Sequence, residues 1–181
     1  HHVGLPKEDM DYLYSEGPVM NHGMVQGNSR MCLFTGSQAV AEKLTLDLRG
    51  RVKLEDAGFD WKILGPDPSE VDYVVWQADQ DAYGASGQKC SAQSMLIAHE
   101  NWMELGIVDK LAAQAAKRNL DALTIGPVLT WSTPRILAHI ERCLALPGAK
   151  LAFGGKPLEG HSIPAEYGAV EPTAVYIPLE T

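Results

Sequence analysis

The run Gly87-Gln88-Lys89-Cys90-Ser91-Ala92 sets one thiol among small and polar neighbours, about 35 residues after Glu55 in Leu54-Glu55-Asp56-Ala57-Gly58. A thiolate can add covalently to a carbonyl carbon, and a carboxylate can then activate the water that releases the acyl group. Just upstream, Phe34-Thr35-Gly36-Ser37 offers a tight turn into a helix, where backbone N–H groups and the positive helix end can hold a pyrophosphate. Nucleophile, base and dinucleotide turn together suit covalent chemistry on an aldehyde.

Each feature also has a plainer reading. A cysteine is more often a small buried hydrophobe than a nucleophile. Cys32 and Cys143 lie within apolar periodic segments and are read as packing residues, which leaves Cys90 as the candidate. An ordinary thiol, with a pKa of about 8.5, is mostly protonated at neutral pH and needs activation. Cationic neighbours favour the thiolate, and Lys89 is adjacent in the chain. Glu55 stands at a strand end, where burial would suit it to general-base work, although a solvated glutamate is the commoner case. Asp56 is a second carboxylate that could compete for that role. Ser37 is equally readable as an ordinary N-cap, and no G-x-G-x-x-G pattern is present. Trp61, Trp76, Trp102 and Trp131 read as core or interface aromatics, and Gly154-Gly155-Lys156-Pro157 as a hairpin turn rather than a phosphate loop.

Short strands alternating with amphipathic helices make the chain α/β. Residues 31–34 read as a buried strand, and Val40, Leu44 and Leu48 as the apolar face of the helix that follows. Residues 52–54 form the next strand, which completes one βαβ crossover. Residues 59–64 read as a strand closed by Gly65-Pro66-Asp67-Pro68. Val71, Val74, Val75, Ala78 and Ala82 mark a helix ending near Tyr83-Gly84, so Cys90 falls in a loop before a strand at 95–98. Residues 102–118 read as one Ala-rich helix whose Lys117-Arg118 end suits the helix dipole. Ser132-Thr133-Pro134 starts another helix, stopped by Pro147-Gly148, and residues 150–153 and 174–177 are the last strands.

The 181 residues predict one domain or a little more, with a seam near residues 55–60. A formal net charge of −8 argues against nucleic acid as a partner. No apolar run approaches the roughly 18 residues of a membrane span, so no membrane partner is expected. Three cysteines without C-x-x-C spacing disfavour zinc and redox pairs, so no metal is expected. An odd number of separated thiols fits a reducing compartment. No signal or transit segment is present in the chain.

In order and spacing, these motifs resemble the aldehyde dehydrogenase superfamily along nearly the whole chain. The likeness runs through Gly4-Leu5-Pro6, Phe34-Thr35-Gly36-Ser37, Glu55, Gly87-Gln88-Lys89-Cys90 and Gly126-Pro127-Val128, then Gly148-Ala149-Lys150-Leu151, Phe153-Gly154-Gly155-Lys156 and Glu171-Pro172-Thr173. Glu55-Asp56-Ala57-Gly58 departs from the family's usual Glu-Leu-Gly-Gly. With Phe59-Asp60-Trp61-Lys62, Gly65-Pro66-Asp67 and the 87–95 run, it resembles the plant-type mitochondrial 1-pyrroline-5-carboxylate dehydrogenases. Ala41 replaces a frequent glycine and would slightly alter the adenosine pocket.

The resemblance implies an incomplete aldehyde dehydrogenase-like α/β fold. Residues 1–57 would be the C-terminal part of a Rossmann-like NAD-binding domain, and 58–181 the N-terminal part of the catalytic domain. It implies NAD as cofactor, with NADP the alternative, and oxidation of glutamate γ-semialdehyde to glutamate through a cysteine thiohemiacetal and thioester. Cys90 would be the nucleophile, with its own N–H as an oxyanion donor, and Glu55 the deacylation base. Phe34, Gly36, Ser37, Val40 and the Asp56 backbone would border the cofactor, and Ser91 the substrate carboxylate. The family's upstream asparagine and downstream Glu-Ile-Phe-Gly-Pro have no counterpart, so the chain is expected to be the middle of a subunit and inactive alone. The full-length protein would be a homo-oligomer of the mitochondrial matrix, with the cytoplasm as the alternative. A family member acting on another aldehyde, or a truncated product without activity, are the competing expectations.

Overall fold

Pro18 in the first turn opens helix α1 (Gly17–Gln26), which ends at Gly27. The computed structural model describes residues 4, 6–56 and 58–179, with backbone alone at 7 and 56. Two compact units follow one another in the chain, His1–Gly58 and Phe59–Thr181. No apolar period announces α1, because Gly17 and Gly23 interrupt it and none of its residues is buried.

In the first unit, β1 (Cys32–Gly36) and β2 (Val52–Asp56) pair in parallel, from Cys32 opposite Val52 to Gly36 opposite Asp56. Helix α2 (Gln38–Asp47) makes the crossover. Its buried residues are Ala41 and Leu44, followed by Leu48 at the cap, while Val40 is 45% exposed. The expected face of 40, 44 and 48 is therefore corrected by one position at its start. Each four-residue step overshoots a full helical turn by about 40°, so three residues spaced four apart drift off one face, whereas 41, 44 and 48 stay on it. Ala41 consequently sits in the interior of this unit. Asn21 donates from Nδ2 to Asp47 Oδ2 (2.9 Å) and so ties α1 to α2.

The second unit begins with another βαβ turn. Strands β3 (Asp60–Leu64) and β4 (Gln93–Ala98) are parallel, with an irregularity after Asp60, and α3 (Val71–Tyr83) connects them. Leu64, Val75, Trp102 and Ile107 form the core, with Val71, Val74, Leu96, Ala98, Val108 and Leu111 packed around it.

The single helix expected at 102–118 is instead two, α4 (Glu100–Glu104) and α5 (Ile107–Ala115). Gly106, at φ +69°, breaks them apart. On one continuous helix Trp102 and Ile107, five residues apart, would point about 140° from each other. The break lets both enter the core, at 4% and 1% exposure. Of the four tryptophans only Trp102 is buried, and its Nε1 donates to Gly65 O (2.8 Å).

Helix α6 (Thr133–Leu144) starts with Pro134 in its first turn, as its sequence predicts. Strands β5 (Lys150–Phe153) and β6 (Ala174–Tyr176) are antiparallel. The Gly154-Gly155 stretch is not a tight hairpin, since residues 154–173 intervene before β6. It is a double left-handed bend, with φ +73° and +83°, where a Cβ on Gly154 would fall 2.1 Å from Pro172 O. The connection is stitched by bridges between Pro157 and Val170 and between Val128 and Gly168. Among the described residues no helix is long and apolar enough to cross a membrane.

Candidate active site

Cys90 is the exposed cysteine of the three; Cys32 and Cys143 are half-buried. Neither of those two is a sealed packing residue: Cys143 Sγ lies 3.8 Å from His139 Nε2 on the same helix, and Cys32 Sγ lies 3.6 Å from Met24 Sδ. Cys90 sits in a turn between α3 and β4, and Ser91 beside it is also exposed. The buried Ala92, whose N–H donates to Lys89 O (3.1 Å), pins the far side of that turn.

The near side is shaped by three consecutive left-handed residues, Ala85 (φ +54°), Ser86 (φ +55°) and Gly87 (φ +74°). Two of them are not glycine, so surrounding bonds must hold the backbone there. Ser86 Oγ donates to Gly126 O (2.8 Å) and accepts from Gly126 N–H (2.9 Å). Gln88 donates from Nε2 to Ala85 O (3.1 Å) and Pro127 O (2.9 Å), and its Oε1 accepts from Leu129 N–H (2.8 Å). The receiving segment is fixed in turn by paired bonds between Val128 and Gly168, both 2.8 Å. Lys89, expected from its sequence position to favour the thiolate, reaches back to the end of α3, where Nζ meets Gln80 O at 3.5 Å.

Behind the loop lies a polar knot absent from the sequence reading. Asp79 and Arg118 are almost wholly buried, at 1% and 6% side-chain exposure, and pair at 2.7 Å. Arg118 also donates from Nη1 to Thr124 O (2.7 Å). The expected dipole-facing role of Arg118 is thus replaced by a buried ion pair. Tyr83, the last residue of α3, donates its hydroxyl to Thr173 O (2.9 Å), packs edge-on against Phe153 and lies under Arg118. Burial, reinforced by the Asp79 carboxylate and opposed by Arg118, pushes the Tyr83 phenol above its ordinary range. The sequence signal for this knot is an aspartate set amid the apolar face of α3, between Ala78 and Ala82.

The first unit carries the dinucleotide candidates. Gly36 closes β1, and Ser37 is the N-cap of α2 with extended dihedrals. The Ser37 side chain makes no capping bond and is exposed, as is Val40 in the first turn. Phe34 is half-buried, and its ring lies over Gly36, where a Cβ would come within 2.5 Å of Cζ. The N–H groups of Val40 and Ala41 bond to Ser37 O, while those of Gln38 and Ala39 donate to no partner among the described residues. Unused donors at a helix N-terminus and a free hydroxyl fit a phosphate group, while the missing Cβ of Gly36 makes room for the Phe34 ring.

Glu55 stands on β2 opposite Thr35, with its side chain exposed, so the burial expected for it is absent within its unit. Asp56 pairs with Gly36 through the backbone, and its side chain lies outside the described residues. Phe34, Gly36, Ser37, Val40, Glu55 and Asp56 therefore share the C-terminal edge of one βαβ unit, and Cys90 and Ser91 share one turn of the other.

The aldehyde dehydrogenase family profile matches residues 1–176. The chain belongs to the aldehyde dehydrogenase family. It is 62% identical over 180 residues to the mitochondrial delta-1-pyrroline-5-carboxylate dehydrogenase 12A1 of Arabidopsis thaliana, covering 99% of this chain and 32% of that protein. A probable aldehyde dehydrogenase of Linum usitatissimum is 61% identical, with 99% and 33% covered. The chain thus spans about a third of the length of these curated relatives. Among solved structures, the succinate-semialdehyde dehydrogenase of Burkholderia pseudomallei superposes with a TM-score of 0.82 at 27% identity, over 96% of this chain and 36% of that one. The NAD+ complex of a Bacillus cereus aldehyde dehydrogenase gives 0.79 at 23% identity, again over 96% and 36%, which speaks for the fold alone. The α/β architecture is that of an aldehyde dehydrogenase, matching about a third of the full structures.

Proposed function

We propose that this chain carries the nucleophile and part of the cofactor site of an NAD-dependent dehydrogenase that oxidises glutamate γ-semialdehyde to glutamate. The supporting observation is the 62% identity, over 99% of this chain, with about a third of the Arabidopsis 1-pyrroline-5-carboxylate dehydrogenase. The exposed Cys90 at the head of a braced turn is consistent with it. Residues 1–57 would belong to the NAD-binding domain and 58–181 to the catalytic domain. Gly36, Ser37 and the first turn of α2 would hold the NAD pyrophosphate, with Phe34, Val40 and the Asp56 backbone bordering the rest. NADP is the alternative cofactor.

In this mechanism the Cys90 thiolate forms a bond to the aldehyde carbon, and the carbonyl electrons move onto oxygen, where the Cys90 N–H donates. Bound NAD would supply the acceptor for the hydride that leaves that carbon. What remains on Sγ is a thioester. Glu55 takes a proton from water, the water oxygen attacks the thioester, and the Cys90 thiolate departs as the acid forms. Ser91 would donate to the substrate's α-carboxylate. The Arabidopsis relative is named mitochondrial, and we assign this protein to the mitochondrial matrix on that basis; a homo-oligomer of the full-length protein is proposed on the family resemblance alone.

The test is to graft residues 1–176 in place of the equivalent third of the Arabidopsis enzyme. The graft should produce NADH from glutamate γ-semialdehyde, and Cys90→Ala should abolish this. A folded graft that is inactive, retains activity without Cys90, or prefers an unrelated aldehyde would overturn the assignment.

A further inference from the structure

We propose that Ser86 and Gln88 are positioning residues that clamp the left-handed turn ahead of Cys90 onto residues 126–129 and so fix the Cys90 N–H as an oxyanion donor. The last step rests on the nucleophile assignment above; the clamp itself does not. Three left-handed residues in a row, two of them with a Cβ, are not a conformation that the local chain favours. Five side-chain bonds hold it: two through Ser86 Oγ to both polar groups of Gly126, and three through the Gln88 amide to Ala85, Pro127 and Leu129. Gln88 uses donor and acceptor ends at once, so its amide orientation is fixed by the opposed demands of Pro127 O and Leu129 N–H. The anchor does not move freely, because Val128 is bonded both ways to Gly168. Cys90 lies two residues beyond Gln88, and its N–H donates to no acceptor among the described residues. Turning that N–H away from the bound carbonyl requires only that the turn relax.

Two probes of Cys90 separate positioning from simple exposure. p-Nitrophenyl acetate acylates the thiolate: Sγ bonds to the carbonyl carbon through an oxyanion, p-nitrophenolate leaves, and a thioester results. Iodoacetamide alkylates the same sulfur by displacing iodide, with no oxyanion. Both rates are read by peptide mass spectrometry on the graft of residues 1–176 into the Arabidopsis enzyme, with Cys32 and Cys143 as internal references. Gln88→Ala should slow Cys90 acylation about tenfold or more while alkylation stays within about threefold, since a lost oxyanion donor acts only on the first. It should also speed hydrogen exchange at the Leu129 amide. Gln88→Glu keeps the acceptor for Leu129 but loses both donors, and should fall between. Ala85→Gly relieves the strained position and keeps every side-chain bond, so both rates should stay at the wild-type level.

Acylation and alkylation falling together in a folded Gln88→Ala chain, or neither changing, would overturn the positioning role. Unchanged Leu129 exchange would overturn the clamp. A wild-type Cys90 that alkylates but does not acylate would count against the nucleophile assignment, with Leu129 exchange still deciding the clamp.

Discussion

Replacing Arg118 by methionine would strand the Asp79 carboxylate in the interior of the second unit. Arg118 Nε lies 3.1 Å from both Asp79 oxygens, and Nη2 lies 2.7 Å from Oδ2 and 3.1 Å from the Asp79 carbonyl. With the guanidinium gone, the carboxylate keeps one long contact, Gln80 Nε2 at 3.4 Å. Breaking a buried pair on one side costs about 3–5 kcal/mol, because the remaining charge is uncompensated. With a urea slope of about 1.5–2 kcal/mol per molar, that moves the unfolding midpoint down by about 2 M. All four tryptophans lie in the second unit, so their fluorescence reports its unfolding. The double variant Asp79→Leu with Arg118→Met removes both charges, and should regain most of what either single change loses. A single-variant loss below about 1 kcal/mol, the range of exposed pairs, would refute the reasoning, as would a double variant costing the sum of the two singles.

Other expectations follow from the same unit. Tyr83 holds its proton more tightly when folded than when unfolded, so its share of stability is complete below about pH 10 and declines above it, by up to about 1.4 kcal/mol per pH unit. Tyr83→Phe should remove that part of the alkaline decline, read by urea titrations from neutral to high pH. The Lys62 ammonium, 2.6 Å away, holds the Asp81 carboxyl below its usual range, with Gln77 assisting and burial opposing. This contribution is present above about pH 4 and is lost as pH falls further; Lys62→Met should cost about 0.5–1 kcal/mol at neutral pH, less in high salt. Gly154→Ala places a methyl against Pro172 O and Thr173 at positive φ, and should lower stability by about 2 kcal/mol or more in thermal unfolding.

The first βαβ crossover, the strand–helix–strand order of the second unit and the helix at Pro134 were legible because each depends on local chemistry: short apolar runs, a Gly-Ser turn, a proline in the first turn. The elements misread were those decided at a distance. The break at Gly106 exists to seat Trp102 and Ile107 in one core, and no short window contains that demand. Arg118 reads as a helix-end cation until Asp79, 39 residues earlier, is brought beside it. Gly154-Gly155 reads as a hairpin because the sequence does not show that residues 172–173 press against that bend.

For the candidate site, sequence alone determined which residue types are present and in what order: one thiol in a small polar run, a glutamate at a strand end, a glycine-serine turn into a helix. That information is covalent and survives in any conformation. Only the tertiary structure decided that Cys90 is exposed while Cys32 and Cys143 are half-buried, and that Glu55 is exposed on its strand. It also decided that Ser86, and Gln88 of the cysteine motif, to neither of which the sequence assigns a role, brace the turn before the sulfur. Exposure and bracing are properties of what else packs nearby, and the partners at 126–129 lie about 40 residues along the chain.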